Sequence, residues 1–131
     1  MRHAGERGSM SILVATGALL LSLFALAAAD LGSMLVIRGK AQAAADAAAL
    51  AAVVEQAPIL DQGDDPESAA RDAAERNGAT LISCDCSVGT TAATVTVEIA
   101  ARASFVQAWA GRHVRATARA ELDEDVMTYR E

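Results

Sequence analysis

The chain has 131 residues, 32 of them Ala, with 53% apolar and 3% aromatic side chains. That excludes an ordinary compact soluble enzyme, whose core rests on aromatic and branched residues; Phe24, Phe105, Trp109 and Tyr129 are all the aromatics it has. A formal charge of −6 likewise excludes a nucleic-acid binder, which needs a basic face.

Between Arg7 and Arg38 the only charged residue is Asp30, and Ser9 to Ala29 gives 21 uncharged residues in a row. About 20 such residues cross a bilayer as helix, and Leu13, Leu19, Leu20, Leu21, Leu23, Phe24 and Leu26 form a strongly apolar centre. A buried core helix has the same composition, but nothing downstream is large enough to surround one. A cleaved secretory signal is the sharper rival. Arg2 and Arg7 make a basic start, and Ala25, Ala27, Ala28 and Ala29 offer small-x-small cleavage positions. That alternative predicts a secreted binding protein with its mature N-terminus near Asp30.

Against cleavage there, strong helix formers continue past Asp30 with no Pro before Pro58. The pattern predicts one helix from about Ser9 to Gln56, roughly 70 Å long at 1.5 Å per residue. In this division 1–8 is a basic leader, 9–37 a transmembrane helix and 38–56 its continuation outside the membrane. Two stripes at helical spacing are expected on the outer part. Gln42, Asp46, Ala49, Val53 and Gln56 mark a polar one, and Ala41, Ala44, Ala45, Ala48 and Ala52 a small apolar one. Arg2 and Arg7 on one flank balance Arg38 and Lys40 on the other, so the positive-inside count ties. Residues 41–131 carry 15 acids against 7 bases, a net of −8, and hold both cysteines. An acidic, cysteine-containing tail is easier to place outside the cytoplasm, with the N-terminus inside.

Residues 57–131 read as a small α+β head. Ala57 to Pro66 is a turn-rich loop, and Asp65 can cap a helix that starts at Pro66. That helix carries Arg71–Glu75 and Asp72–Arg76 at i,i+4 and stops at Asn77-Gly78. Ala69, Ala70, Ala73 and Ala74 are its whole apolar face, so it must pack closely on something. Three strands follow: Thr80 to Ser83, Thr94 to Ile99 with Val95, Val97 and Ile99 on one face, and Val114 to Leu122 with Val114, Ala116, Ala118, Ala120 and Leu122 on one face. Together they make an antiparallel sheet that needs a cover, and the one sizeable cover is the helix from Lys40 to Gln56. The predicted fold is thus α+β: a long N-terminal transmembrane-plus-stalk helix, a short second helix, and a small three-stranded antiparallel sheet packed on the stalk.

Catalytic signals are scarce: the pattern offers no catalytic residue, no metal ligand set and no cofactor loop. His3 and His113 read as solvated histidines, and the acids at Asp61, Asp64, Asp65 and at Asp123, Glu124, Asp125 as solvated charge. Asp30 fits the outer edge of the apolar run, at the membrane interface. Cys84-Asp85-Cys86 admits a small local or intermolecular disulfide, a redox pair, or half a thiolate metal site. The disulfide is the simplest, because a second ligand pair for zinc is missing and a redox cysteine belongs at a helix N-terminus. A thiol redox protein remains the less favoured functional alternative. Gly17, Ala25, Ala29, Gly32 and Ser33 allow close helix packing within a membrane. Phe105-Val106-Trp109 reads as core rather than interface.

Arg7-Gly8-Ser9, followed at once by the apolar helix, resembles the leader and cleavage site of type IV pilin-like proteins. The run from Ala41 to Ala51 (AQAAADAAALA) is similar to the corresponding segment of TadE/TadG-like proteins of Flp, or tight-adherence, pilus systems. Gly78, Cys84, the Val-Thr-Val strand and the Arg-Ala-Thr-Ala-Arg-Ala strand resemble the actinobacterial TadE-like branch. The resemblance implies a pilin-like fold and a membrane-anchored minor pilin or pseudopilin that helps assemble a pilus or secretion fibre. Its partners would be membrane lipid, other pilin-like or TadE-like subunits and the assembly machinery, with no nucleic acid. Prepilin peptidase would cut between Gly8 and Ser9. Pilins carry Glu at the fifth residue after the cut, where this chain has Leu13; the departure implies an accessory that stays in the membrane.

Overall fold

A computed structural model of the chain describes residues 7–56, 65–101 and 113–123, with side chains in the first segment described from Met10 onward. His3, the acids Asp61, Asp64, Glu124 and Asp125, and the Phe105-Val106-Trp109 cluster lie outside the described residues. The described elements run α1 (Arg7–Gln56), α2 (Pro66–Arg76), β1 (Thr80–Asp85), β2 (Ala92–Ala100) and β3 (His113–Glu121). This is the expected α+β order, and Gly8 and Ser9 fall inside the first turn of α1. Two compact units divide between Met34 and Leu35.

In the N-terminal unit, α1 presents its large apolar side chains outward on every side. Met10, Leu13, Leu21, Phe24 and Leu26 are each more than 60% exposed. Hydroxyl side chains here close on their own helix: Thr16 donates to the Ile12 carbonyl at 2.8 Å and Ser22 to that of Ala18 at 2.9 Å. Such back-bonding lets a hydroxyl sit in an apolar solvent without an unpaired donor. Among the described residues, α1 is the one helix long and apolar enough to cross a membrane.

In the C-terminal unit the sheet order is β1-β2-β3, antiparallel throughout. Val95 and Val97 on β2 are fully buried and pack in one cluster with Ala44, Ala45, Ala48, Ala52 and Val53 of α1 and with Ala70, Ala73 and Ala74 of α2. Eleven of the fourteen buried residues in that cluster are Ala, so its elements meet almost backbone to backbone. The buried face of α1 corrects one expectation: Ala49, Val53 and Gln56 are buried together with Ala41, Ala44, Ala45, Ala48 and Ala52, leaving Gln42, Ala43, Asp46 and Leu50 exposed. Positions 41, 44, 45, 48, 49, 52, 53 and 56 form one stripe at 3–4 spacing, which two opposed stripes would have split.

At the start of α2, the Asp65 carboxylate accepts from the Ser68 N–H at 2.9 Å, with Pro66 in the first turn. At its end, the N–H groups of Gly78 and Ala79 reach the carbonyls of Glu75 and Ala74, both at 2.9 Å. Gly78 takes φ 71°, the left-handed turn that closes this type of C-cap and that a Cβ would strain. The i,i+4 ion pair on α2 is Glu67–Arg71, at 2.7 Å, rather than the expected Arg71–Glu75. An acid N-terminal to a base, near the positive helix end, is the favoured order.

Strand β1 runs on through Cys84 and Asp85, beyond the predicted Ser83, and carries an irregularity. Leu81 pairs with Val97 and Cys84 with Val95, so four residues of β1 oppose three of β2. The extra residue, Ile82, is 46% exposed. This bulge shifts the side-chain phase. Without it Leu81 and Cys84 would point to opposite faces; with it both pack against the buried cluster.

Candidate functional site

Of the helix-packing residues, Ala25, Ala29, Gly32 and Ser33 follow i, i+4, i+7, i+8 and lie within an arc of about 100° on α1, whereas Gly17 lies about 60° beyond the Gly32 end of that arc. A Cβ added at Gly17 or Gly32 would meet nothing within 4 Å. The chain's own described contacts therefore do not require these glycines. Ser33 donates to the Asp30 carbonyl at 2.7 Å.

Cys84 and Cys86 are joined as a disulfide with a Cα–Cα separation of 5.3 Å. Both are half-buried and pack against the inner cluster. Among the described residues no group of three or more His, Cys, Asp or Glu is placed to hold a metal ion. An open groove of about 560 Å³ runs between α1 and α2, floored by Ala47, Leu50, Ala51, Val54, Ala69 and Ala73 and edged by Glu55, Asp72 and Arg76.

The junction between α1 and the β1–β2 turn is the most tightly specified polar site of the described residues. Gln56, 1% exposed, donates from Nε2 to the Ser87 carbonyl at 2.8 Å and to Thr90 Oγ1 at 2.6 Å, with the Ala92 carbonyl at 3.3 Å. Its main-chain carbonyl accepts from the Gly89 N–H at 3.2 Å. Thus one side chain ties the last turn of α1 to a turn more than thirty residues further along the chain. Sequence reasoning placed Gln56 on a polar stripe; a Gln closing an Ala-rich face is the signal that could have marked it.

The outer face of the sheet is polar and paired across strands. Rows read Thr80, Glu98, Arg115; then Ser83, Thr96, Thr117; then Asp85, Thr94, Arg119. Thr96 and Thr117 share a hydrogen bond at 2.9 Å, and Arg119 pairs with Glu121. Glu98 is held by Arg115 Nε at 2.7 Å and His113 Nδ1 at 3.0 Å, so His113 opens β3 as expected but engaged to Glu98. The Arg115 hydrogen bond holds the Glu98 carboxyl below its ordinary pKa; partial burial opposes the shift, and the charges of His113 and Arg115 add to it. A pKa lowered in the folded state gives stability that is present above the ordinary carboxylate range and lost as pH falls through the lowered value. We expect Glu98→Gln to flatten that acid-side loss, so urea midpoints of variant and parent converge as pH falls from 6 towards 3. Midpoints that stay a fixed distance apart would show that Glu98 carries no such linkage.

Residues 8–57 match the protein-family model described as "Putative Flp pilus-assembly TadE/G-like". Comparison with curated proteins and with solved structures finds no match. The matched segment is α1 from its first turn to its last, including the exposed apolar stretch and the face that covers the sheet.

Proposed function

We propose, from the TadE/G-like character of residues 8–57, that this protein is a membrane-anchored minor pilin or pseudopilin that assists assembly of a Flp-type pilus or secretion fibre. One observation carries the proposal: within the matched segment, a helix with fully outward apolar side chains continues as a helix whose Ala face is buried. The first part suits lipid and neighbouring helices; the second suits a folded C-terminal unit. In this reading 1–8 is a basic leader, 9–37 crosses the membrane, 38–56 extends beyond it and 57–131 is the extracytoplasmic head, with the N-terminus cytoplasmic. Its work is mechanical: Gly17, Ala25, Ala29, Gly32 and Ser33 admit close approach of another subunit's helix, and the disulfide of Cys84 and Cys86 suits an oxidising compartment. Prepilin peptidase cuts between Gly8 and Ser9, and partners are lipid, TadE-like subunits and the assembly machinery. Mass determination of the mature protein tests this directly. An N-terminus at Ser9 is expected; one near Asp30 would mean a secreted, signal-cleaved protein and sink the proposal, and an intact Met1 would remove the peptidase step.

A further inference from the structure

Strand β3 lies at one edge of the described sheet, and its side chains change in charge along the strand. His113, Arg115 and Arg119 precede Glu121 on the outer face, while Val114, Ala116, Ala118 and Ala120 line the inner one. Among the described residues the cover on that inner face is thinner at this edge than over β2. Val95 and Val97 on β2 are fully buried, yet on β3 Ala118 alone of the inner residues is buried, and Val114, Ala116 and Ala120 on either side of it are only half-buried. Among the described residues no strand lies beyond β3.

Which backbone groups face the open edge follows from one hydrogen bond. The Leu122 N–H reaches the Thr91 carbonyl at 2.8 Å, continuing the β2–β3 register. Backbone direction alternates along a strand. Val114, Ala116, Ala118 and Ala120 therefore turn their polar groups to β2, and Arg115, Thr117 and Arg119 turn theirs to the open edge. A nine-residue edge without a bulge is a template for another strand.

We propose that this edge pairs antiparallel with β3 of a second copy of the chain, about a two-fold axis through Ala118. Four conditions select that register: edge-facing backbone groups must meet each other, apolar side chains must stay on one face, charges must oppose, and most of β3 must pair, which a centre at Ala120 would not allow. With Ala118 opposite the partner's Ala118, Thr117 meets the partner's Arg119 and Arg115 meets the partner's Glu121. On the inner face Ala116 meets the partner's Ala120, and Val114 the partner's Leu122, which covers the half-buried stretch. The outer row then reads Glu98, Arg115, the partner's Glu121, alternating in sign. The neighbouring register, centred on Thr117, sets Arg115 opposite the partner's Arg119 twice over, and like charges directly opposite repel. The contact joins two three-stranded sheets into one of six strands, and it does not depend on the pilus-assembly proposal.

The test uses the full chain in detergent micelles, with Cys84 and Cys86 left in their disulfide. Ala118→Cys places two thiols at a non-hydrogen-bonded pair, where Cα atoms lie about 4.5 Å apart and a disulfide can close. Mild oxidation is expected to give a reducible dimer, with Thr117→Cys roughly tenfold less efficient because its own copy lies a diagonal step away. Adding Glu121→Arg to Ala118→Cys should lower dimer yield roughly tenfold, by turning two symmetry-related attractions into repulsions. Glu121 is exposed and pairs within its own strand with Arg119, an exposed ion pair that contributes little to stability, so the folded chain tolerates its substitution. A chain that stays monomeric, one that crosslinks equally well through Thr117→Cys, or one whose dimer ignores Glu121→Arg overturns the proposal.

Discussion

Gln56→Ala should destabilise the C-terminal unit by about 2–4 kcal/mol, the largest effect expected of any single truncation here. Three contributions add, and the removal of a buried Gln56 Oε1 that has no hydrogen-bond partner offsets part of them. The Ser87 carbonyl and Thr90 hydroxyl each lose a short hydrogen bond from Nε2, and each such bond is worth about 1 kcal/mol net. The Ser87 carbonyl keeps its bond from Thr90 Oγ1 at 2.8 Å, which limits this part of the loss. The remainder comes from the space left by a fully buried amide. Native-state amide hydrogen exchange at Val95 and Val97, the buried centre of β2, reads the result: at 1.4 kcal/mol per decade, protection should fall about 30- to 700-fold. Gln56→Glu separates a donor role from simple space-filling. A carboxylate of the same shape has no hydrogen to give and would be set against the carbonyls of Ser87 and Ala92. It should therefore cost at least as much as Ala at neutral pH. If Gln56→Glu behaves like the parent, the hydrogen bonds at this junction do not hold the turn in place.

The same residue shows where sequence legibility stops. Much of the fold follows from local chemistry. Alternation along Thr94–Ile99 and Val114–Leu122 marks two strands because a pleated strand shows one face per residue. Asp65-Pro66 and Asn77-Gly78 mark the ends of α2 because each supplies a cap that only a few residues can make. The burial of Gln56 depends on Ser87, Thr90 and Ala92, which reach it through the tertiary fold, and no local pattern encodes that. Nor could periodicity assign the buried face of α1 between residues 41 and 56. Ala occupies both sides, so apolar contrast is weak and Ala49 and Val53 fall on either stripe. The bulge at Ile82 is equally invisible, since it exists only relative to β2. For the candidate site, small residues such as Gly17 and Gly32 could be picked out by type, and α1 leaves open space where their side chains would be.

A core made of Ala carries its own vulnerability, and Ala48→Leu is the substitution that exposes it. Ala48 is fully buried against the sheet, in a cluster where eleven of fourteen residues end at Cβ. Ala48 is itself 0% exposed and most of its neighbours in the cluster have no longer side chain to swing aside, so three added carbons must be taken up by shifts of the backbone. Relief requires α1 to shift within the cluster, and the shift also disturbs Ala44, Ala45 and Ala52, which share its buried face. Overpacking of this kind costs about 1–3 kcal/mol even though Leu is more apolar and an equally good helix former. Ala43→Leu, on the exposed side of the same turns, is the matched control and should change stability by no more than about 0.5 kcal/mol. Urea midpoints for the two variants, measured in the same detergent, decide the matter. A large drop at residue 48 with none at 43 means that smallness on one face of α1 is a structural requirement. Equal midpoints would mean instead that the Ala run is only a helix-forming sequence, and that the sheet does not need a close-packed stalk. The requirement also connects the fold to the family match. The segment similar to TadE/G-like chains contains this buried Ala face as well as the exposed apolar stretch, so the match spans two parts of α1 with opposite patterns of burial.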